Sequence, residues 1–204
     1  EYYDLMDHII ESGQTDNLQL TIFTNCSVYN PKFVEKMLKF KKVELNFSID
    51  GVGKTAEYQR HGTKWNVVRE NILRFAQLPF DFHFNSAISQ YTLFDVSNLA
   101  KFLMEIYEVN KSIKTKCYAV VTPYDLHFLN TPQSMHQRVY DEVDKAIEIL
   151  TPDNFAIFRK EIAGMKENMQ SVFPQHPEMF IAYTKKFDDR RNENFEEVFG
   201  MPLR

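Results

Sequence analysis

The sequence predicts an α/β protein: a partial (β/α) barrel of parallel strands with helices outside, followed by a C-terminal helical extension. Strand-like and helix-like patterns alternate four times before residue 125, with helices long enough to cross over between parallel neighbours. Three successive strand segments carry polar groups along one side only, and after Pro123 no strand pattern returns. The expected division is 1–125 for the barrel-like part and 126–204 for the helical part.

The opening "EYYDLMDHIIESG" places Tyr2 or Tyr3, Leu5, Met6, Ile9 and Ile10 at helical spacing, and Gly13 suits a helix end. It has the look of a helix caught in mid-course, as in a piece of a longer protein. "NLQLTIFTN" (17–25) follows as a strand. Asn30 and Pro31 form a cap and first-turn pair before a helix whose inner face is Phe33, Val34, Met37 and Leu38. In "KVELNFSID", Val43, Leu45, Phe47 and Ile49 alternate with Glu44, Asn46, Ser48 and Asp50, the period-2 signature of a strand. Gly51 and Gly53 then let the chain turn sharply. Thr63 is expected to cap a helix striped by Trp65, Val68, Ile72 and Phe75.

"FDFHFNSAIS" (80–89) is the third strand. Asp95 caps the next helix, with Leu99, Phe102, Leu103 and Ile106 inward, and "IKTKCYAVVTP" (113–123) is the fourth strand. Beyond it, "TPQSMHQRVYDEVDKAIEIL", "TPDNFAIFRKEIAGMKENMQ" and "HPEMFIAYTKKFDDRRNENFEEVF" read as helical segments, two of them opened by Thr-Pro. They are expected to pack on the sheet or cover an opening.

Parallel strands buried on both sides read as nearly continuous apolar runs. These strands do not: Gln19, Thr21 and Asn25, then Asn46, Ser48 and Asp50, then His83 and Asn85 recur on one side of each. Burying such groups costs several kcal/mol each, roughly, unless partners satisfy them. A wet, ligand-holding lumen with the ligand at the carboxyl strand ends accounts for the pattern. A face turned to solvent or to a partner protein accounts for it as well.

Composition bounds the rest. Of the 204 residues, 44 % are hydrophobic, with 18 Phe and 10 Tyr, which excludes a disordered tail. A formal charge of −4 with dispersed lysines argues against nucleic acid as a partner. No apolar run approaches the ~20 residues of a membrane span, and two distant cysteines, Cys26 and Cys117, point to a reduced, cytoplasmic protein. Those two thiols cannot complete a Cys-based zinc or iron–sulfur site. The six histidines show no metal-ligand spacing, and "DGVGK" fits no phosphate-binding loop.

Taken in order, "FTNCS", "NFSIDG", "YQRHGTKWNVVRENILRF" and "FHFNSAIS" with "DVSNL" resemble the second half of a radical S-adenosylmethionine (SAM) barrel, in the peptide-modifying branch with SPASM or twitch extensions. The resemblance covers residues 1 to roughly 125. It implies an enzyme that, at full length, binds a 4Fe-4S cluster and SAM and abstracts hydrogen from a peptide or small-molecule substrate, with a reductant protein as a further partner. The family's CxxxCxxC and GGE-type motifs would lie upstream of Glu1, so this chain alone is expected to be inactive.

By the same resemblance, Asn25 closes the "TN" strand end, and Ser48 and Asp50 match positions that meet the SAM ribose or its amino-acid end. Arg60 matches an arginine whose fork suits a carboxylate, the plain alternative being an ion pair with Glu57. Asp50 before Gly51 is also a good former of an Asx-turn, and a hydroxyl bonded to its own loop is the plain reading of Ser48. Asn85 and Ile88 match a polar and an apolar contact to adenine, although Ser86 and Gln90 replace the family's glycines. His83, on the polar strand side, is the candidate for substrate contact. "FDDRRNENFEEVFG" resembles the closing helix of phage and metagenomic radical SAM proteins with a twitch domain; with no cysteine after Cys117, no auxiliary cluster is expected there. The reading of another class is a non-catalytic α/β binding or assembly module that docks a partner on its polar strand face.

Overall fold

The computed structural model describes residues 2–204, so Glu1 and the side chain of Tyr2 lie outside what is described. Four strands, β1 (Gln19–Thr24), β2 (Lys42–Ser48), β3 (Asp81–Ile88) and β4 (Lys114–Ala119), form one parallel sheet in sequential order. The register puts Leu45 beside Phe82 and Phe47 beside Phe84, and it puts Asn46 beside His83 and Ser48 beside Asn85. Because side chains alternate, the first two pairs share one side of the sheet and the last two the other.

Helices cover the apolar side. α2 (Pro31–Met37) follows β1; α3 (Gly53–Gln59) and α4 (Trp65–Ala76) connect β2 to β3; α5 (Gln90–Leu93) and α6 (Val96–Val109) connect β3 to β4. Phe47 meets Phe75 of α4 at 6.1 Å, Phe84 meets Phe102 of α6 at 6.4 Å, and Phe47 and Phe82 lie 5.6 Å apart. Each such ring is essentially unexposed, and fully burying a side chain of this size contributes about 1.5–3 kcal/mol.

The helix ends test the local signals. α1 (Tyr2–Glu11) ends before Gly13, whose φ of +69° is open to glycine; Met6 is buried, but Leu5 faces solvent. Asn30 caps α2, its side chain accepting from the Lys32 amide. Thr63 is not a cap: Lys64 occupies that position in α4 and contributes no side-chain hydrogen bond. The run after Gly51 is not a bare turn either. Gly53, at φ +54°, opens α3, which buries Thr55, Ala56 and Tyr58. Asp95 stands at the cap position of α6 but caps nothing; its carboxylate accepts from Thr55 Oγ1 at 2.8 Å and Asn98 Nδ2 at 2.6 Å instead. β4 stops at Ala119, short of the expected Pro123, after the Val120 amide makes a last bond to the Ile88 carbonyl and Val121 turns out to solvent.

The remaining chain forms α7 (His136–Ile149), α8 (Ala156–Ser171), α9 (Pro177–Arg191) and α10 (Phe195–Phe199), with one-turn 3-10 segments after Pro132 and Pro152. α7 packs on α6, and α8 packs on β4. α9 and α10 close over α3 and α5 through the rings of Tyr91, Phe94, Phe180, Phe195 and Phe199, whose centroids lie 4.7–6.3 Å apart. Tyr58 Oη donates to Asp188 Oδ1 at 2.8 Å, and Asp188 Oδ2 accepts from the Phe195 amide at 2.9 Å. One apolar core runs from Met6 to Phe199. Among the described residues no helix is long and apolar enough to cross a membrane.

Candidate functional site

The carboxyl ends of β1 and β2 and the C-terminal end of α3 line a crevice that gathers four of the expected residues: Asn25, Ser48, Asp50 and Arg60. Its centre is Asp50. Arg60 donates to Asp50 Oδ2 through Nε at 3.1 Å and Nη2 at 2.5 Å, while Asp50 Oδ1 accepts the Ala87 amide from the end of β3 at 2.9 Å. The fork of Arg60 thus lies on a carboxylate of this chain, and the alternative partner is corrected: Glu57 accepts the Trp65 amide at 2.9 Å and does not meet Arg60. Asp50 makes no Asx-turn: its Oδ1 takes the Ala87 amide, past the last β2–β3 register pair Ser48–Asn85, instead of an amide of its own loop.

The Asp50 carbonyl accepts from Thr92 Oγ1 at 2.7 Å and Gln59 Nε2 at 3.4 Å. A Cβ on Gly51 would lie 2.8 Å from Gln59 Nε2 and 2.9 Å from Thr55 Cγ2, so the absence of a side chain lets α3 come this close. Asn25 is exposed and folds back on its own loop, its Oδ1 accepting from the Ser27 amide at 3.1 Å and Ser27 Oγ at 2.8 Å. The crevice has room for about 30 Å³, enough for one or two waters but not for a nucleoside.

Ser48 also belongs to the uncovered side of the sheet, next to Asn85. Hydrogen bonds run across this side from strand to strand: Asn85 Nδ2 to Asn46 Oδ1 at 2.9 Å, Asn46 Nδ2 to Glu44 Oε1 at 2.7 Å, and Gln19 Nε2 to Glu44 Oε2 at 3.1 Å. The bond from Asn46, with the nearby His83, Lys114 and Lys116 charges, holds the Glu44 carboxyl below its usual range. His83 lies between Asn46 and Lys114 in register, and its Nδ1 is buried without a hydrogen-bond partner. Burial keeps the imidazole below its ordinary pKa, outweighing the attraction of Glu44.

Ile88 does not join this side. Three residues from Asn85, it points the other way, into the helix-covered core, where its exposure is 0 %. The polar side has members the motif reading passed over: Lys114, Lys116 and Tyr118 of β4, and Phe23 of β1. Alternation in "KTKCY" carries the signal for the first three. Phe23 and Tyr118 stand 70 % and 61 % exposed on this side.

The two thiols do not fit an iron–sulfur cluster. Cys26 lies in the loop after β1 and Cys117 on β4, at opposite edges of the sheet; both are buried, and burial pushes each pKa up to about 12. Cys26, at φ +57°, is held through its carbonyl by Asn71 Nδ2 at 2.9 Å. Among the described residues no three His, Cys, Asp or Glu groups converge on a place for a metal ion. Comparison with protein-family models, with curated proteins and with solved structures finds no match to this chain.

Proposed function

We propose that these strands are part of a radical SAM enzyme barrel, a partial (β/α) barrel whose lumen is the uncovered side of the sheet. The observation that carries the reading is the arrangement itself: four parallel strands in sequential order, helices against one side, and Asn46, Ser48 and Asn85 together on the other. In such barrels ligands collect at the carboxyl strand ends. The Ser48 hydroxyl makes no hydrogen bond to a described residue and is available to a ribose. The crevice is too small to enclose SAM, so SAM would lie across its mouth, where its carboxylate competes with Asp50 for Arg60. His83 and Asn85 then face a peptide or small-molecule substrate.

Bound to a 4Fe-4S cluster, SAM supplies hydrogen-abstracting radical chemistry. The described residues offer no ligand set for that cluster, and no chemical step is assigned to them. The reading makes this a cytoplasmic enzyme served by a reductant protein, and makes the chain alone inactive.

A second reading rests on Phe23 and Tyr118, whose exposure on the same side favours a non-catalytic module docking a partner chain there. Calorimetric titration with SAM separates the two. Saturable heat that is lost in Ser48→Ala and in Arg60→Ala supports the first; no heat at all favours the second.

A further inference from the structure

A second cavity lies away from the strand ends. It lies on the helical side, between the start of α3, the outer faces of α4 and α6, and α10, and has a volume of about 430 Å³, within the size range of small-molecule sites. Its floor is aromatic: Trp65 meets Phe102 edge-on at 5.0 Å, with Phe94 and Phe199 beside them.

Its charge is unbalanced. Lys54, Arg69, Lys101 and Arg138 line it against two carboxylates, Asp95 and Glu105, in a chain whose overall charge is −4. Of the two carboxylates only Glu105 has a cationic partner among the described residues. Glu105 is paired with Arg69, and Asp95 accepts from Thr55 and Asn98. Arg138 is drawn to the Phe94 carbonyl at 3.1 Å and to Glu142 at 3.8 Å. Two ammonium groups are left over. Among the described residues Lys101 meets only the neutral Asn98 side chain, at 3.0 Å, and Lys54 has no hydrogen bond or ion pair. Two free ammonium groups against the single unpaired carboxylate of Asp95, beside an aromatic floor, favour a ligand with one negative end and one flat apolar end.

We infer that this cavity binds a small organic anion, a carboxylate or phosphate ester on a flat apolar body, with its acid group drawn to Lys54 and Lys101 and its body against Trp65 and Phe102. The site is independent of the SAM reading, since only Trp65 borders both hollows.

Trp65 is the one tryptophan of the chain, so its fluorescence reports directly on the cavity. Titrating the 204-residue chain with phenyl phosphate and with phenylacetate is expected to give a saturable change with at least one, and the tighter of the two identifies the preferred acid group. The double variant Lys54→Gln/Lys101→Gln is expected to weaken that binding about ten-fold, equivalent to ~1.4 kcal/mol, with an unchanged melting temperature because both side chains are exposed. Lys54→Arg/Lys101→Arg is expected to retain it, and inorganic phosphate to bind more weakly than the better aryl anion. Ser48→Ala is expected to leave the titration unaltered, so failure of SAM binding leaves this result standing. No saturable change with either aryl anion, a response undiminished in the Gln double variant, or equal potency of inorganic phosphate overturns the assignment.

Discussion

The two sides of this one sheet are held by different forces. On the covered side Leu45, Phe47, Phe82 and Phe84 have at most 1 % exposure, and each gains from whatever apolar neighbour lies close. On the uncovered side Glu44, Asn46 and Asn85 are joined to particular partners at 2.7–2.9 Å. Apolar burial is non-directional, whereas a hydrogen bond has a fixed reach and angle. The covered side can therefore be filled completely. The uncovered side keeps unused capacity at Ser48, His83 Nδ1 and the lysines of β4, and that capacity is what a ligand can use.

Three substitutions probe this contrast. Phe84→Ala removes a ring with no exposure from the covered side and is expected to cost about 3–5 kcal/mol, read from urea denaturation. A loss below ~1 kcal/mol would mean that the covered side is not the main source of stability. Asn46→Ala breaks the strand-to-strand chain of hydrogen bonds. With Glu44 and Asn85 both able to turn to water, its expected cost in the same assay is about 1 kcal/mol; a cost as large as that of Phe84→Ala would show that the polar side is sealed.

The smallest effect concerns pH. Burial depresses the folded-state pKa of His83 below 6.5. The unfolded chain then binds more protons just below that value, and stability falls as pH drops from 6.5 toward the folded pKa. His83→Gln is expected to lose less melting temperature than the parent over that interval. His127, also depressed by burial, is common to both proteins. So is Asp95, whose carboxyl burial raises and which titrates with the opposite sign. Identical pH slopes would show that His83 titrates as an exposed residue.

Much of the fold was legible in local pattern. Alternation in "KVELNFSID" located β2 and its two sides, and Asn30-Pro31 located the start of α2. The seven-residue α3 was not, because "GKTAEYQ" opens on a glycine and is too short to show a stripe; its helix exists because Ala56 and Tyr58 are buried against the rest of the molecule. Among the candidate residues, placement was more legible than partnership. Asn25, Ser48, Asp50 and Arg60 do converge, yet the partner of Arg60 turned out to lie ten positions away.

The chain by itself determined which strand residues share a side, since alternation is built into extended backbone and needs no neighbour. Tertiary structure decided which groups meet: β2 and β3 in register bring the Ala87 amide to Asp50, and the close seating of α3 over Gly51 brings Arg60. Those pairings depend on distances between segments far apart in sequence, and such distances are set only when the whole core has packed.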